Sequence, residues 1–162
     1  MGWITLADRT GFLEIEANNL ELRDLQLSRE RRLIQKNSSY QQSIFNKNKK
    51  NELAKAKSEY EKTKNQRPVG DDGKIDTSSD EYATWQQDYA LAKETFEAAK
   101  LEIENFYSDK QSELEEETTD KENEIDDEKT DVESQLDSVK SEKETTKEQI
   151  STDISQTKLD LA

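Results

Sequence analysis

The sequence contains no cysteine and no histidine among its 162 residues. Without cysteine it has neither disulfides nor thiolate metal sites. Without histidine it lacks the commonest general base of enzymes and the commonest ligand of transition metals. We therefore expect no enzymatic activity, no catalytic residues, no cofactor, no metal site and no small-molecule substrate.

Apolar residues are also scarce. They make up 30% of the sequence and charged residues make up 38%, whereas ordinary globular domains have about 45–50% and about 25%. So few apolar side chains cannot fill a core of several layers, and no apolar run approaches the roughly 20 residues that span a bilayer. The first residues also lack the basic and apolar segments of a secretory signal. We expect no contact with a membrane and no secretion through a signal peptide.

The apolar residues that are present are regularly spaced. Between residues 6 and 34 one falls on every seventh position, namely Leu6, Leu13, Leu20, Leu27 and Ile34. A seven-residue apolar repeat keeps one stripe of an α-helix against a partner helix. The repeat favours an ordered coiled coil over the disordered chain that this composition would also allow. Helix 1 is predicted to run from about residue 6 to about residue 64.

Residues 65–79 interrupt this helical pattern. They contain the only proline, Pro68, and two of the four glycines, Gly70 and Gly73. Proline ends a helix and glycine allows the backbone to reverse. Ser78 and Glu81 have the spacing of a capping box, which predicts that helix 2 runs from about residue 80 to about residue 161. The predicted fold is all-α, without strands: residues 1–162 form a single elongated domain, a long antiparallel helical hairpin (coiled coil).

Helix 2 changes its apolar spacing along its length. From Tyr82 to Phe106 the steps alternate between three and four residues, whereas Ile103, Leu114 and Ile125 are eleven apart. An eleven-residue repeat reduces or reverses the usual left-handed supercoil. We expect the aromatic-rich part to be the best packed. The predicted helix–helix interface comprises Leu6, Leu13, Leu20, Leu27, Ile34, Tyr60, Tyr82, Trp85, Tyr89, Phe96, Ile103, Phe106, Leu114, Ile125, Val132 and Val139.

The hairpin geometry also predicts a register. If the loop is centred near residue 72, the numbers of facing residues add up to about 145. Leu13 then faces Val132, and the other expected pairs are Tyr60 with Trp85, Leu20 with Ile125 and Leu6 with Val139. This register leaves residues 140–162 as an overhang. We predict that the overhang and the N-terminal segment 1–5 contact a partner through Trp3, Ile150, Ile154 and Leu161.

Charge is unevenly distributed between the two halves. Residues 1–67 carry a net charge of +5 and residues 68–162 a net charge of −19, which gives −14 for the chain. The predicted register places the basic cluster of Arg29, Arg31, Arg32 and Lys36 opposite Glu113, Glu115, Glu116 and Glu117. The other interpretation is that these are unrelated solvated faces. Because a chain this acidic repels phosphate, we expect no binding to nucleic acid.

Two segments resemble a known class of proteins. Residues 2–6 (Gly-Trp-Ile-Thr-Leu) with Arg9, and residues 25–29 (Leu-Gln-Leu-Ser-Arg), are similar to the starts of small uncharacterised coiled-coil proteins of tailed bacteriophages. The resemblance covers roughly the first 45 residues. It implies a virion component or an assembly scaffold in the virion or the host cytoplasm, and it assigns no functional residues.

These observations lead to an expected function and its alternatives. We expect a structural or assembly protein whose partners are copies of itself, other proteins of a large assembly, or both. The alternative is an adaptor or stalk hairpin in a secretion or motor complex. A third interpretation, an acidic chaperone or nucleic-acid mimic, requires an exposed acidic half. The pattern does not separate an intramolecular hairpin from a domain-swapped dimer with the same helix pairing.

Overall fold

Two helices form almost the whole of the structure. The computed structural model describes the backbone of residues 2–70, 73–75 and 77–160, and the side chains of residues 5–70, 73–75 and 77–158. The helices are α1, Gly2–Asn65, and α2, Asp80–Asp160. These described ranges contain no strand. The fold is therefore the predicted all-α helical hairpin, although α1 begins before residue 6 because helical backbone continues beyond the first repeating apolar residue.

The segment between the helices is held by backbone hydrogen bonds. The backbone N–H of Gln66 donates to the carbonyls of Lys62 and Thr63, both at 3.2 Å, which closes the last turn of α1. Further along, the N–H of Gly70 donates to the carbonyl of Lys74 at 2.8 Å. Gly73 has a φ of 75°, a left-handed conformation that glycine adopts without steric cost. This explains the glycine at that position.

The start of α2 is capped by a serine hydroxyl. Ser79 Oγ accepts a hydrogen bond from the backbone N–H of Tyr82 at 3.1 Å. This bond satisfies one of the N–H groups that have no partner inside the first turn of a helix. The cap is therefore Ser79, one residue after the predicted Ser78, while the predicted start of α2 at residue 80 is correct.

Contacts between residues divide the chain into two compact units. The first unit consists of Met1–Lys36 and Thr118–Ala162, and the second unit is Asn37–Glu117. The sequence predicts one domain, whereas each helix contributes one segment to each unit. The two units also have different interiors, because the residues where α1 meets α2 are mainly aliphatic in the first unit and aromatic in the second.

The first unit is built on an aliphatic seam, which we define as the apolar residues between α1 and α2 in this unit. One buried cluster contains Leu13, Ala17 and Val139, with Leu20 and Leu136 packed against it. A second contains Leu27, Ile125 and Val132, with Leu20 and Ile34 packed against it. Leu27 is 0% exposed. The seven-residue repeat of α1 therefore does bury its predicted face.

The register of the first unit differs from the predicted one. Leu13 shares a cluster with Val139, so their numbers add up to 152 rather than about 145, one heptad more than the predicted pairing of Leu13 with Val132. A seven-residue shift in a heptad pattern still places apolar residues opposite apolar residues, so periodicity does not distinguish the two registers. The predicted pairing of Leu6 with Val139 is wrong for the same reason. Leu20 packs against the cluster of Leu27, Ile125 and Val132, in which the observed register places Val132 rather than the predicted Ile125 opposite it.

The changed register shortens the predicted overhang. Lys140 and Lys143 form ion pairs with residues of α1, at 3.2 and 3.3 Å, and Thr146 is buried. Ile150 is half-buried, and every side chain from Ser151 to Lys158 is exposed. The prediction that residues from 140 onward lack a partner in the same chain is therefore wrong for the segment up to about residue 146.

The second unit is built on an aromatic seam, the rings of Phe45, Tyr60, Tyr82, Trp85, Tyr89, Phe96 and Tyr107. The Tyr60 ring lies between those of Tyr89 and Phe96, with centroids 5.6 and 5.4 Å away. Among the described side chains of this unit only Tyr107 is fully buried. The expectation that the aromatic region is the best packed is therefore wrong, because the seam of only two helices leaves one edge of most rings exposed to solvent.

Phe106 is the one predicted interface residue that does not lie in the contact between α1 and α2. It is 52% exposed, whereas the neighbouring Tyr107 is 4% exposed. The eleven-residue spacing already begins at Ile103, and its steps of four, three and four lead to Tyr107, Lys110 and Leu114. The prediction extended the seven-residue pattern one step too far and selected the wrong aromatic residue.

Candidate interaction surface

The predicted interface residues, apart from Phe106, form the seams of the two units. All of them are buried or half-buried: Leu6, Leu13, Leu20, Leu27, Ile34, Tyr60, Tyr82, Trp85, Tyr89, Phe96, Ile103, Leu114, Ile125, Val132 and Val139. These residues are occupied by contacts between α1 and α2. A surface for another molecule therefore has to be sought on the other faces of the helices.

Ion pairs between the helices flank the aliphatic seam. Arg23 and Arg31 lie 2.6 Å from Glu128 and Asp126. The other pairs are Arg9 with Glu142, Asp24 with Lys129, Glu21 with Lys140 and Glu14 with Lys143. Exposed pairs contribute at most about 1 kcal/mol each and are screened by salt. These ion pairs therefore contribute little to stability. Because they occur at several points along the seam, they favour one register of α1 against α2.

For Arg31, a member of the basic cluster, the predicted ion-pair partner is wrong. Its guanidinium binds Asp126 rather than the glutamates at 113–117, because the true register brings a later part of α2 beside it. Arg29, Arg32 and Lys36 are exposed. The contacts described for the first unit include no ion pair for these three side chains. They are available to a partner that carries negative charge.

The part of the α1 surface that does not contact α2 carries large apolar side chains. Phe12, Ile15, Leu22, Leu25 and Leu33 are each between 55% and 66% exposed; we call these five residues the α1 outer stripe. At 100° per residue, Ile15, Leu22 and Leu33 lie within about 20° of one another and about 140–180° from Leu13 and Leu20 of the seam. They therefore form a second apolar face on the same helix.

The matching segment of α2 has no second apolar face. Between residues 118 and 149 its large apolar residues are Ile125, Val132, Leu136 and Val139, and all four belong to the aliphatic seam. Its remaining surface is polar and mostly acidic. Between residues 118 and 149, α2 therefore offers no apolar surface to another molecule, whereas the facing segment of α1 does.

The second unit contains a shallow groove beside the aromatic seam. The groove has a volume of about 360 Å³ and lies next to Tyr60 and Phe96, with Ala56, Ala92 and Ala99 in its lining. The small alanine side chains leave this space between the larger rings. The indole N–H of Trp85 donates to the carbonyl of Thr63 at 2.9 Å, which anchors the last turn of α1 to α2.

Two tyrosine hydroxyls of the second unit have perturbed acidities. Tyr60 and Tyr89 are joined by a hydrogen bond of 2.7 Å between their hydroxyls, and this bond raises the pKa of Tyr60 above its ordinary value. The Tyr107 hydroxyl donates to Glu52 at 2.8 Å, which raises the pKa of Tyr107. Because a raised pKa makes the phenol a weaker acid, these hydroxyls serve as hydrogen-bonding groups at neutral pH.

The described residues contain neither a metal-binding cluster nor a membrane-spanning helix. Among the residues that the structure describes, no group of three or more acidic side chains is arranged to hold a metal ion. Nor does any helix in the described ranges contain a stretch that is both apolar and long enough to cross a bilayer.

The predicted partner-contact residues are only partly described. The side chains of Trp3 and Leu161 lie outside the described residues. Ile150 is half-buried and Ile154 is 40% exposed. Sequence reasoning missed the α1 outer stripe, although a signal was present, since Ile15 and Leu22 are seven residues apart and Leu33 follows eleven later.

Comparisons with known proteins found no matching family model, no similar curated protein and no similar solved structure. The function therefore has to be inferred from the surfaces and charges of the chain itself.

Proposed function

We propose that this chain is a non-enzymatic structural or assembly protein that joins a multi-subunit complex through helix–helix contacts. The observation that carries the proposal is the α1 outer stripe, five large apolar side chains that are all more than half exposed. A monomeric protein rarely leaves such a periodic apolar surface in water, and exposed apolar patches commonly mark sites of protein association. A helix with apolar residues on two opposite faces fits a bundle of more than two helices.

The assembly that we propose is a bacteriophage particle or the scaffold on which it forms, either in the virion or in the host cytoplasm. Support for this comes from the resemblance of the first 45 or so residues to coiled-coil proteins of tailed phages. Most of that segment belongs to the first unit, and it contains the whole α1 outer stripe.

The test is the solution mass of the purified full-length chain, measured by sedimentation equilibrium over a concentration series. We expect a discrete oligomer that dissociates when Leu22, at the centre of the α1 outer stripe, is replaced by glutamate. The loss of two facing leucines costs about 3 kcal/mol, which raises the dissociation constant on the order of a hundredfold.

Leu101→Glu is the matched control, because Leu101 is equally exposed but belongs to the second unit. Both variants should keep the helical circular dichroism of the parent, since neither residue contributes to a seam. A single-chain mass for the parent at every concentration would contradict a self-assembling element.

The alternative function is an adaptor or stalk hairpin in a secretion or motor complex. Its support is the segment between the helices, where Val69 is 59% and Ile75 is 41% exposed. Exposed apolar side chains at the end of a hairpin suit insertion into a different protein. A strictly monomeric chain would favour this alternative.

A further inference from the structure

We propose that the groove of the second unit receives the basic part of the α1 outer stripe from another copy of this chain. The proposal rests on the proposed function, because it takes the stripe to be an association site. It adds the surface that the stripe contacts and the charges that select that surface.

Three basic side chains lie among the leucines at the end of the outer stripe. Arg29, Arg32 and Lys36 are exposed, as those leucines are, and at 100° per residue the whole group lies within an arc of about 100°. Arg29, near the middle of this arc, is about 160° around α1 from the buried Leu27. We call this group the basic face, and its members are Leu22, Leu25, Arg29, Arg32, Leu33 and Lys36.

The basic face contains no acidic residue. Asp24 and Glu30, the acidic residues of the segment 22–36, lie outside the arc and form ion pairs with Lys129 and Arg23, at 3.3 and 3.6 Å. The contacts described for the first unit include no ion pair for the three basic side chains of the face. A partner that fits this face therefore supplies both apolar area and negative charge.

The groove of the second unit supplies apolar area. Its lining includes the rings of Tyr60 and Phe96 and the side chain of Leu91, which is 64% exposed. Phe106, 52% exposed, lies on the same side of α2, because it follows Asp88 of the lining by five helical turns. A third helix along this groove covers the ring edges that the contact between α1 and α2 leaves open.

The groove also supplies negative charge. Asp88, Glu102 and Asp109 are exposed and lie within about 60° of one another on the groove side of α2, and Glu59 lies on the α1 side of the groove. The contacts described for the second unit include no ion pair for these four carboxylates. The two lysines of the segment 84–109 lie about 120–140° around α2 from Asp88.

Other surfaces fit the basic face less well. Between residues 118 and 149, α2 is acidic, but all its large apolar residues belong to the aliphatic seam. Residues 47–57 of α1 contain five lysines and one glutamate, and a second basic face carries the same charge as the first, so both repel it. The groove combines exposed rings with carboxylates that have no described ion pair.

Each chain carries one basic face and one groove. A contact between two different surfaces gives a discrete oligomer when it closes into a ring or into a reciprocal pair of chains. Leu22, Arg29 and Lys36 are seven residues apart, as are Glu102 and Asp109. Helices with the same repeat remain in contact along their length.

A charge-exchange experiment on the full-length chain tests the proposal. One variant reverses the basic face, Arg29→Glu with Arg32→Glu, and the other reverses the groove, Asp88→Lys with Glu102→Lys. Sedimentation equilibrium is measured for each variant alone and for the two mixed in equal amounts. Each variant alone brings like charges together, so its dissociation constant should rise about tenfold.

The mixture of the two variants should restore association. The reversed face of the first variant meets the reversed groove of the second, and the unchanged face of the second meets the unchanged groove of the first. Opposite charges then face each other at every contact, so the dissociation constant should return to within about twofold of the parent value.

Glu94→Lys with Glu97→Lys is the matched control for the groove variant. Both glutamates are exposed residues of α2 in the same unit, but they lie about 120–180° around the helix from Asp88. This control changes the net charge by the same amount and should leave the dissociation constant within about twofold of the parent. All the replaced side chains are exposed, so circular dichroism should show unchanged helix content.

Cross-linking identifies the surface that contacts the basic face. Because the chain has no cysteine, Gln26→Cys gives a single attachment site for a benzophenone beside the basic face, at an exposed position. Mixing labelled and unlabelled isotopic forms of the chain distinguishes cross-links between copies by mass. We expect these cross-links at residues 56–66 and 88–109. Asn123→Cys, at an exposed position of α2 in the first unit, is the control and should not produce them.

The possible failures are distinguishable. If Leu22→Glu dissociates the parent oligomer but the mixture is no tighter than either charge variant alone, the groove is not the contact and the proposed function stands. Cross-links to residues 12–36 or 118–149 of the other copy have the same meaning. If Leu22→Glu leaves the oligomer unchanged, or if the parent is a single chain at every concentration, both proposals fall.

Discussion

The two units pack α1 against α2 with different kinds of side chain. In the first unit, leucine, valine and isoleucine fill the seam and are buried, while ion pairs between α1 and α2 flank it. In the second unit, aromatic rings fill the seam, and hydroxyl and indole groups form hydrogen bonds to the other helix. The aliphatic seam excludes water better, whereas the aromatic seam has more directional contacts.

Large side chains are not necessarily buried when only two helices meet. A ring covers more area than a leucine side chain, but one edge of it extends past the narrow contact between two cylinders. Leucine at a position facing the partner fits entirely between the neighbouring turns. The open groove of the second unit beside Tyr60 and the complete burial of Leu27 in the first illustrate the two outcomes.

The largest expected effect compares one leucine from each unit. Leu27→Ala should lower the free energy of unfolding by about 3 kcal/mol, because it opens a cavity at a fully buried site. Leu53→Ala, at a half-buried position of the second unit, should lower it by about 1–2 kcal/mol, since water can occupy part of the space. Urea unfolding measures both values, and hydrogen exchange shows which unit is loosened. Equal losses would contradict the difference between the seams.

A smaller effect tests the directional contacts of the second unit. Trp85→Phe removes the hydrogen bond from the indole to the carbonyl of Thr63 and should cost about 1 kcal/mol. Hydrogen exchange should increase in the last turns of α1. Tyr82→Phe is the control, because it removes only a long contact of 3.4 Å with Arg67. If Trp85→Phe is as harmless as the control, the indole bond does not stabilise the second unit.

A still smaller effect concerns the ion pairs of the first unit. A double-mutant cycle on Arg23 and Glu128, with glutamine and alanine replacements, should give a coupling energy of about 0.5 kcal/mol that declines as salt is added. The pair of Lys57 and Glu61, 3.6 Å apart within one helix of the second unit, is the comparison and should give about 0.3 kcal/mol. A coupling for Arg23 and Glu128 that does not depend on salt would show that the contact is not electrostatic.

The last prediction concerns how the stability of the fold depends on pH in the alkaline range. The bond to Glu52 raises the pKa of Tyr107 above its value of 10.0 in a model compound. The folded protein therefore favours the neutral phenol, and the stabilisation is fully present below pH 10.0 and is lost as the pH rises through the higher folded pKa. Tyr107→Phe should remove this part of the alkaline loss of stability.

The readout is urea unfolding at neutral and at alkaline pH, with tyrosinate absorbance as an independent titration. The exposed Tyr40 offers the matched variant, Tyr40→Phe, which should leave the alkaline loss unchanged. If Tyr107→Phe loses as much stability in alkali as the parent, the bond to Glu52 does not control this titration.

Much of the fold follows from spacing alone. The heptad residues from Leu6 to Ile34 define the buried face of α1, and the segment around Pro68 defines where that helix ends, because both depend on local backbone rules. The choice between Phe106 and Tyr107 is harder, since it depends on whether the next step along α2 has three or four residues. Because Phe106 and Tyr107 are adjacent aromatic residues, a step of three and a step of four both lead to an aromatic residue.

A periodic pattern cannot determine the register of the two helices. Leu13 meets an apolar residue whether it faces Val132 or Val139, so the pattern is equally satisfied by both registers. The extent of the paired region follows from the register. For this reason the segment from Lys140 to Thr146 has contacts with α1 that the sequence did not predict.

Spacing along the sequence is enough to establish that the chain forms two long helices with a break near Pro68 and, apart from Phe106, which residues of each helix face the other helix, because helical periodicity is a local property. The register, the division into two units and the apolar residues that lie outside both seams depend on the tertiary structure. The physical reason is that burial depends on the partner surface: Leu22 and Leu27 have the same side chain, but only Leu27 faces α2.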